Sequence, residues 1–286
     1  MNDSANHPYV LTLSCPDRAG IVSTVTGVLA EQGANITEAA QFNDHSTGLF
    51  FMRVQFDCVA DKLTALKAAF EPKAQALQMQ WSLQEAGSRV PTIIMVSKLG
   101  HCLNDLLFRY KAGLLPLDIR AIVSNHRDFY QLAASYDIPF HHIPVSASTK
   151  PQAEAKLLDL VGETGAELVV LARYMQVLSD ALCRQLEGRA INIHHSFLPS
   201  FKGAKPYQQA YDRGVKIIGA TAHYVTADLD EGPIIEQDIA RADHSMTPEQ
   251  LTAMGADVEC SVLARAVRWH AQRRVLVNGH KTVVFK

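Results

Sequence analysis

From residue 8 onward, short runs of apolar, strand-favouring residues alternate with longer amphipathic stretches. "PYVLTLS" (8–14) has the composition of a strand, and "CPDRAGIVS" (15–23) turns into an amphipathic helix that reaches about Gln32. "GANITEAAQFND" (33–44) gives a turn and a strand, and "GLFFMRVQFDC" (48–58) gives another. "DKLTALKAAFEPKAQAL" (61–77) is helical, and "MQWSLQEA" (79–86) is a last strand before "GSRVP" (87–91) breaks the run. The order β-α-β-β-α-β predicts a ferredoxin-like module over residues 1–86, with 87–91 as a linker.

From residue 92 the rhythm changes. "TIIMVS", "IRAIVSN", "FHHIPV", "ELVVLA" and "AINIHH" are short apolar strands, each followed by a helix or a loop. Unalternating apolar strands separated by helices predict a Rossmann-like, mostly parallel α/β sheet with helices on both faces, over 92–286. "IGATAHYVTADLDEGPIIEQDIA" (218–240) reads as two strands joined by an acidic loop, and a long helix is expected at about 247–273. Ligands on such sheets bind beyond the carboxyl ends of the strands. "SKLGH", "SNH", "ARYMQ" and "HHSFLPS" lie there.

Composition narrows the function classes. With 48% hydrophobic residues among 286, the chain can fill two cores. A net charge of −2 without a basic run argues against nucleic-acid and membrane-surface partners. The N-terminal stretch lacks the layout of a signal peptide, and no apolar run approaches bilayer length. Five widely spaced cysteines, with no CxxC, argue against a disulfide framework and suit a reducing cytoplasm.

The chemistry concentrates in "INIHH". On a strand, Asn192 and His194 point the same way. An amide donor beside an imidazole suits a carbonyl turning tetrahedral, the amide meeting the oxyanion and the imidazole handling a proton. The same pattern also fits a strand end whose polar residues bond to neighbouring loops. The acidic loop carries Asp228, Asp230 and Glu231. An aspartate brought to His194 would raise the imidazole pKa, hold its tautomer and help place a water, although spacing alone does not put Asp230 there. The His141–His142 and His194–His195 doublets and His223 invite a zinc reading. Adjacent strand histidines face opposite ways, so no metal is expected.

"NIHHSFLPSFKG" (192–203), "GATAHYV" (219–225) and "DLDEGPII" (228–235) resemble the formyltetrahydrofolate-dependent formyltransferase fold. "PDRAGIVSTVTGVLAEQGANI" (16–36) resembles an ACT domain, an amino-acid-sensing module. Fused in this order, the two resemble the formyltetrahydrofolate deformylases from about residue 8 to the C-terminus. The resemblance implies a hydrolase of one-carbon metabolism that splits 10-formyltetrahydrofolate into formate and tetrahydrofolate, a link to purine biosynthesis, and no cofactor. It places the catalytic asparagine, histidine and aspartate at Asn192, His194 and Asp230. The folate pocket falls on Met175, Gln176, Val177, Leu178 and Val225. Read without the resemblance, Met175, Val177 and Leu178 would be core residues.

The acceptor has to be read from other residues. Transfer to glycinamide ribonucleotide requires a glycine- and serine-rich phosphate cradle after the first strand. "VSKLGHCLNDLL" (96–107) has one glycine there, followed by His101, Cys102 and Leu103, a poor phosphate nest that closes the site and leaves water as the acceptor. His101 reads as a capping or packing residue. His223 is a further candidate near the site. Lys202 and Lys205 flank it, where they could attract the folate's glutamate tail or simply face solvent. Gln208 stands where the family would have a histidine. A formyltransferase acting on a small amine is the second reading, and a catalytically silent binding protein the third.

In the N-terminal module Asp17 is expected to cap the first helix, and Gly20 to allow close backbone approach. The ACT resemblance implies an effector site at Asp17, Arg18 and Gly20 for a small amino acid such as glycine or methionine. It also implies pairing into a homo-oligomer, a tetramer by this reading. Helix capping with dimerisation alone would account for the same residues.

Overall fold

The computed structural model describes residues 6–198 and 206–286. The chain forms two compact units. The first runs to Ser88 and takes in Gln272–Asn278 and Val283–Lys286; the second comprises Arg89–Ala271 and Gly279–Thr282.

The first unit contains β1 (Asn6–Pro16), α1 (Ile21–Glu31), β2 (Asn35–Asp44), β3 (Leu49–Val59), α2 (Leu63–Ala76) and β4 (Gln80–Glu85). Its sheet has the order β2-β3-β1-β4, with every neighbouring pair antiparallel. Ile21, Val25, Val28 and Leu29 fall on one stripe of α1, and Leu66, Phe70 and Ala74 on one stripe of α2. Both stripes join Leu11, Leu13, Met52, Val54 and Phe56 in one core. Each fully buried side chain of this kind contributes about 1.5–3 kcal/mol. Asp17 does not cap α1 as expected. Gly20 is the N-cap at φ 94°, and no side chain closes the cap. Asp17 accepts a hydrogen bond from Asn43 Nδ2 at 2.8 Å instead.

The C-terminal segment was expected to belong with the second domain. Beyond the last helix the chain forms a hairpin, β12 (Val275–Asn278) and β13 (Lys281–Val284). Phe285 and Val283 pack with Phe51, and Asn278 Nδ2 donates to Asp44 Oδ2 at 2.6 Å. Arg274 grips Glu38 with two hydrogen bonds of 3.0 and 3.2 Å, and the buried Arg53 pairs with the same carboxylate at 3.2 Å. These long-range partners are what draw the segment into the first unit.

The second unit is built on β5 (Val90–Val96), β6 (Leu117–Ser124), β7 (Phe140–His142), β8 (Leu168–Leu171), β9 (Ala190–His194), β10 (Ile217–Tyr224) and β11 (Ile234–Arg241). The sheet order is β11-β10-β9-β8-β5-β6-β7, parallel from β9 through β7 and antiparallel at β10 and β11. Around it lie α3 (His101–Lys111), α4 (Tyr130–Ala134), α5 (Lys150–Thr164), α6 (Asp180–Gln185), α7 (Pro206–Asp212) and α8 (Pro248–Ala271). The residues of β8, "LVVL", are all buried, as a central parallel strand requires. Leu157, Leu160 and Val161 of α5 pack against Ile93, Met95, Val123 and Val169. On α3, Cys102, Leu103, Leu106 and Leu107 are buried, and the helix packs on α8. No helix among the described residues is long and apolar enough to cross a membrane.

Candidate active site

Strand register assembles the site. Leu171 at the end of β8 pairs with Asn192, and antiparallel β10 sets His223 opposite Asn192 and Thr221 opposite His194. An irregularity in the β10–β11 pairing falls between Ala222 and His223. Such bulges re-aim side chains next to functional sites. The loop leaving β9 is held by Thr221, whose hydroxyl donates to Ser196 O and accepts from Leu198 N. Gln237 Nε2 donates to Leu198 O and to the Thr221 hydroxyl.

The acidic loop does carry Asp230 to His194. Asp230 Oδ1 lies 3.2 Å from His194 Nδ1 and 3.7 Å from His223 Nε2. Asp230 adopts φ 59°, uncommon for a residue other than glycine. The loop is pressed so closely onto β10 that a Cβ on Gly232 would meet Tyr224 O at 1.8 Å, so only glycine fits. Burial alone would raise the Asp230 carboxyl pKa. The hydrogen bond from His194, with the His223 ring close by, outweighs it and holds the group well below the usual carboxylate range. Asp230 is therefore an anion, and His194 Nδ1–H donates to it, which fixes the tautomer.

His223 Nδ1 lies 2.9 Å from Tyr224 O, a carbonyl that can only accept, so this nitrogen carries a proton. In the neutral ring Nε2 then accepts from Asn192 Nδ2 at 3.2 Å. The second hydrogen of the amide remains for a ligand. His194 itself is buried, 6% exposed, and its Nε2 has no hydrogen-bond partner among the described residues.

These groups line a cavity of about 270 Å³ together with Met175, Gln176, Val177, Leu178, Val225 and Leu229. All five residues expected in the folate pocket are therefore on its wall. Met175, Val177 and Leu229 are 54%, 57% and 60% exposed, an apolar rim of the kind that marks a binding site rather than a core. The Met175 loop is fixed from two sides. Ser97 Oγ accepts from Met175 N at 3.0 Å, while Glu154 accepts from both the backbone N–H and the hydroxyl of Ser179.

His101, Cys102 and Leu103 do not line this cavity. His101 donates from Nε2 to Glu259 Oε2 at 2.7 Å, and Tyr207 donates to Glu259 Oε1 at 2.6 Å. Arg173 Nε approaches Oε2 at 3.4 Å. Glu259 is 1% exposed. Burial would raise its carboxyl pKa, but the His101 hydrogen bond, the Arg173 charge and the Tyr207 hydrogen bond together lower it. His101, Cys102 and Glu259 bring three potential ligand atoms within 4.8 Å of one another. Both Glu259 oxygens are already engaged by protein donors, so the cluster reads as an internal ion pair. Cys102 is buried, and the neighbouring Cys260 together with burial pushes its thiol pKa well above the usual value. Gln208 is exposed on α7 and donates to Asp212 Oδ1 at 2.9 Å, outside the cavity lining. Lys202 and Lys205 lie outside the described residues.

His195 and Arg173 also line the cavity; the sequence pattern named His195 only as part of a possible metal doublet and did not single out Arg173. The expectation that the two histidines face opposite ways is overturned. β9 ends at His194, alternation stops there, and the two rings stack with centroids 4.8 Å apart and planes 21° apart. Arg173, 8% exposed, sits at φ 65°, where glycine is the ordinary residue. Its one sequence signal is a charge directly after a buried strand.

Residues 91–267 match the formyl transferase family and residues 7–84 the ACT domain family. The chain is 54% identical to a formyltetrahydrofolate deformylase of Corynebacterium sp. (strain P-1), covering 100% of each chain. The crystal structure of formyltetrahydrofolate deformylase from Burkholderia mallei superposes with a TM-score of 0.94 at 56% identity, over 98% of this chain and 100% of that one. Glycinamide ribonucleotide transformylase 1 from Symbiobacterium toebii is more distant, with a TM-score of 0.66 at 28% identity, over 72% of this chain and 98% of that one.

Proposed function

Because this chain belongs to the formyltetrahydrofolate deformylase family, we propose that it hydrolyses 10-formyltetrahydrofolate to formate and tetrahydrofolate. The observation that carries this reading is the contact of His194 Nδ1 with Asp230 Oδ1, beside the Asn192 amide, on the wall of an apolar cavity. Met175, Val177, Leu178 and Val225 give the folate ring an apolar seat, with Gln176 beside them. His194 Nε2 takes a proton from water as its oxygen attacks the formyl carbon. Asp230 steadies the imidazolium that forms, and the free Asn192 N–H meets the oxyanion. The proton then passes to N10 as the C–N bond breaks. None of these steps calls on a metal or cofactor.

Water rather than a phosphorylated amine is the acceptor. At the start of α3, where a transferase would cradle phosphate, His101 is committed to the buried anion Glu259 and the next two side chains are apolar and buried. A second anion would meet repulsion there. The test is incubation with 10-formyltetrahydrofolate and no acceptor. Formate and tetrahydrofolate appearing in equal amounts support hydrolysis. Turnover that needs glycinamide ribonucleotide would establish a transferase instead.

The first unit has its own cavity of about 520 Å³, lined by Asp17, Arg18, Gly20, Ser23, Gln41 and Asn43. Its polar lining suits the ammonium and carboxylate of a small amino acid, with glycine and methionine the first to try. Pairing of these modules would give a homo-oligomer, with a tetramer the expected assembly. Unpaired cysteines throughout suit a cytoplasmic enzyme. Light scattering and rate measured against each amino acid test the effector and the assembly together. No change in either quantity would remove the sensing role.

A further inference from the structure

The reaction outlined above uses His194 and leaves its neighbour idle. The His195 ring lies on His194 at 4.8 Å, in the same cavity as Asn192 and Asp230. Nε2 of His194 and Nε2 of His195 are both buried, and neither has a hydrogen-bond partner among the described residues. Buried polar nitrogens are rarely left in this state unless a ligand satisfies them. Two of them on stacked rings, both in residues that line one cavity, point to one shared ligand.

We propose that His195 is a second catalytic residue of the hydrolysis, its Nε2 accepting a hydrogen bond from the attacking water while His194 Nε2 accepts the other. This rests on the hydrolase reading of the site. With both hydrogens held, the oxygen has only its lone pairs to turn towards the formyl carbon, and orientation of this kind contributes to rate.

The charge state fits the role. Burial first, then the Arg173 guanidinium and the His194 ring, press the His195 pKa down to about 4, against the opposing pull of Glu259 and Asp230. At neutral pH the ring is uncharged and offers a lone pair, whereas an imidazolium would offer only donors. His195 exchanges no proton in the step. One water proton goes to His194 Nε2 as the C–O bond forms, and later reaches N10 as the C–N bond breaks. The other remains on oxygen, hydrogen-bonded to His195, until formate departs.

The experiment compares wild type, His195→Phe and His195→Gln for formate release from 10-formyltetrahydrofolate. Each is assayed alone and with hydroxylamine, a small nucleophile whose product, formohydroxamate, is separately measurable. Phe keeps a stacked ring without the acceptor, and Gln restores an acceptor without the ring. The expected result is a loss in kcat for hydrolysis on the order of 10- to 100-fold in His195→Phe, the weight of one hydrogen bond to a group gaining charge. KM should stay near wild type, the ratio of formohydroxamate to formate should rise, and His195→Gln should recover part of the loss. Equal losses in both products would overturn the assignment, because a distorted site slows every nucleophile alike. Unchanged hydrolysis in His195→Phe would overturn it too. If Phe prevents folding, His195→Gln and His195→Ala are compared by the same product ratio. A wild-type protein that releases no formate fails the hydrolase reading itself, a result distinct from these.

Discussion

Asp230 Oδ1 contacts His194 at Nδ1, 3.2 Å away, leaving Nε2 on the other side of the ring without a hydrogen-bond partner among the described residues. The carboxylate therefore orients the imidazole and balances its charge. Asp230→Asn should keep the fold and lower kcat by about 10²–10⁴-fold, since an amide can hold the wrong tautomer. Steady-state formate release, with circular dichroism as a folding control, measures this.

Asn192 gives one amide hydrogen to His223 and has one left for a ligand, which the proposed mechanism gives to the oxyanion. Asn192→Ala should therefore cost about 10²–10³-fold in kcat with a smaller change in KM. A loss confined to KM would place the amide on the bound substrate rather than on the charge that develops.

The pH dependence of stability should carry two signatures of the same sign in different pH windows. Asp230 has a folded pKa below its unfolded value of about 3.9. Its contribution is complete above that pH and disappears as pH falls towards the folded value. His195 is neutral when folded down to about pH 4, whereas unfolded histidine protonates near 6.5. The unfolded chain thus binds more protons between those values, and stability falls as pH falls through that window. Urea titrations at several pH values should show His195→Gln with a flatter slope from about pH 6.5 to 4. Asp230→Asn should converge on wild type only below about pH 4.

The Glu259 carboxylate neutralises Arg173 and accepts from His101 and Tyr207. Glu259→Leu leaves a buried guanidinium without its anion and should destabilise the second unit by about 3–5 kcal/mol. Glu259→Gln, which keeps hydrogen-bonding atoms, should cost less. Thermal unfolding of both variants gives the comparison.

Close packing makes Gly232→Ala a sharp probe of the acidic loop. A Cβ there would overlap Tyr224 O, so the loop carrying Asp230 must shift. Activity should drop at least tenfold, since small misplacements of catalytic groups are costly, while Gly162→Ala, on helix α5 with open space around it, should leave activity unchanged.

The β-α-β-β-α-β order and the parallel strands were legible because buried strands and one-sided helices leave periodic signals. Asn192 and His194 were legible as an i, i+2 pair. Asp230 needed the family resemblance, because its approach depends on the Gly232 contact and on β10 register. His195 was misread because strand alternation was carried one residue past the end of β9. Arg173 and Glu259 were invisible for a related reason: they meet across 86 positions of sequence, between a loop after β8 and the middle of α8. The C-terminal hairpin was missed because its two strands are four residues each, too short to show a period.

The central claim is that water, activated at His194, is the acceptor of the formyl group. Running the reaction in H₂¹⁸O tests it most directly. Formate carrying one ¹⁸O atom, formed without any amine present and nearly abolished in His194→Ala, is the predicted result. No formate in the absence of an amine acceptor, or formate without label, would contradict it.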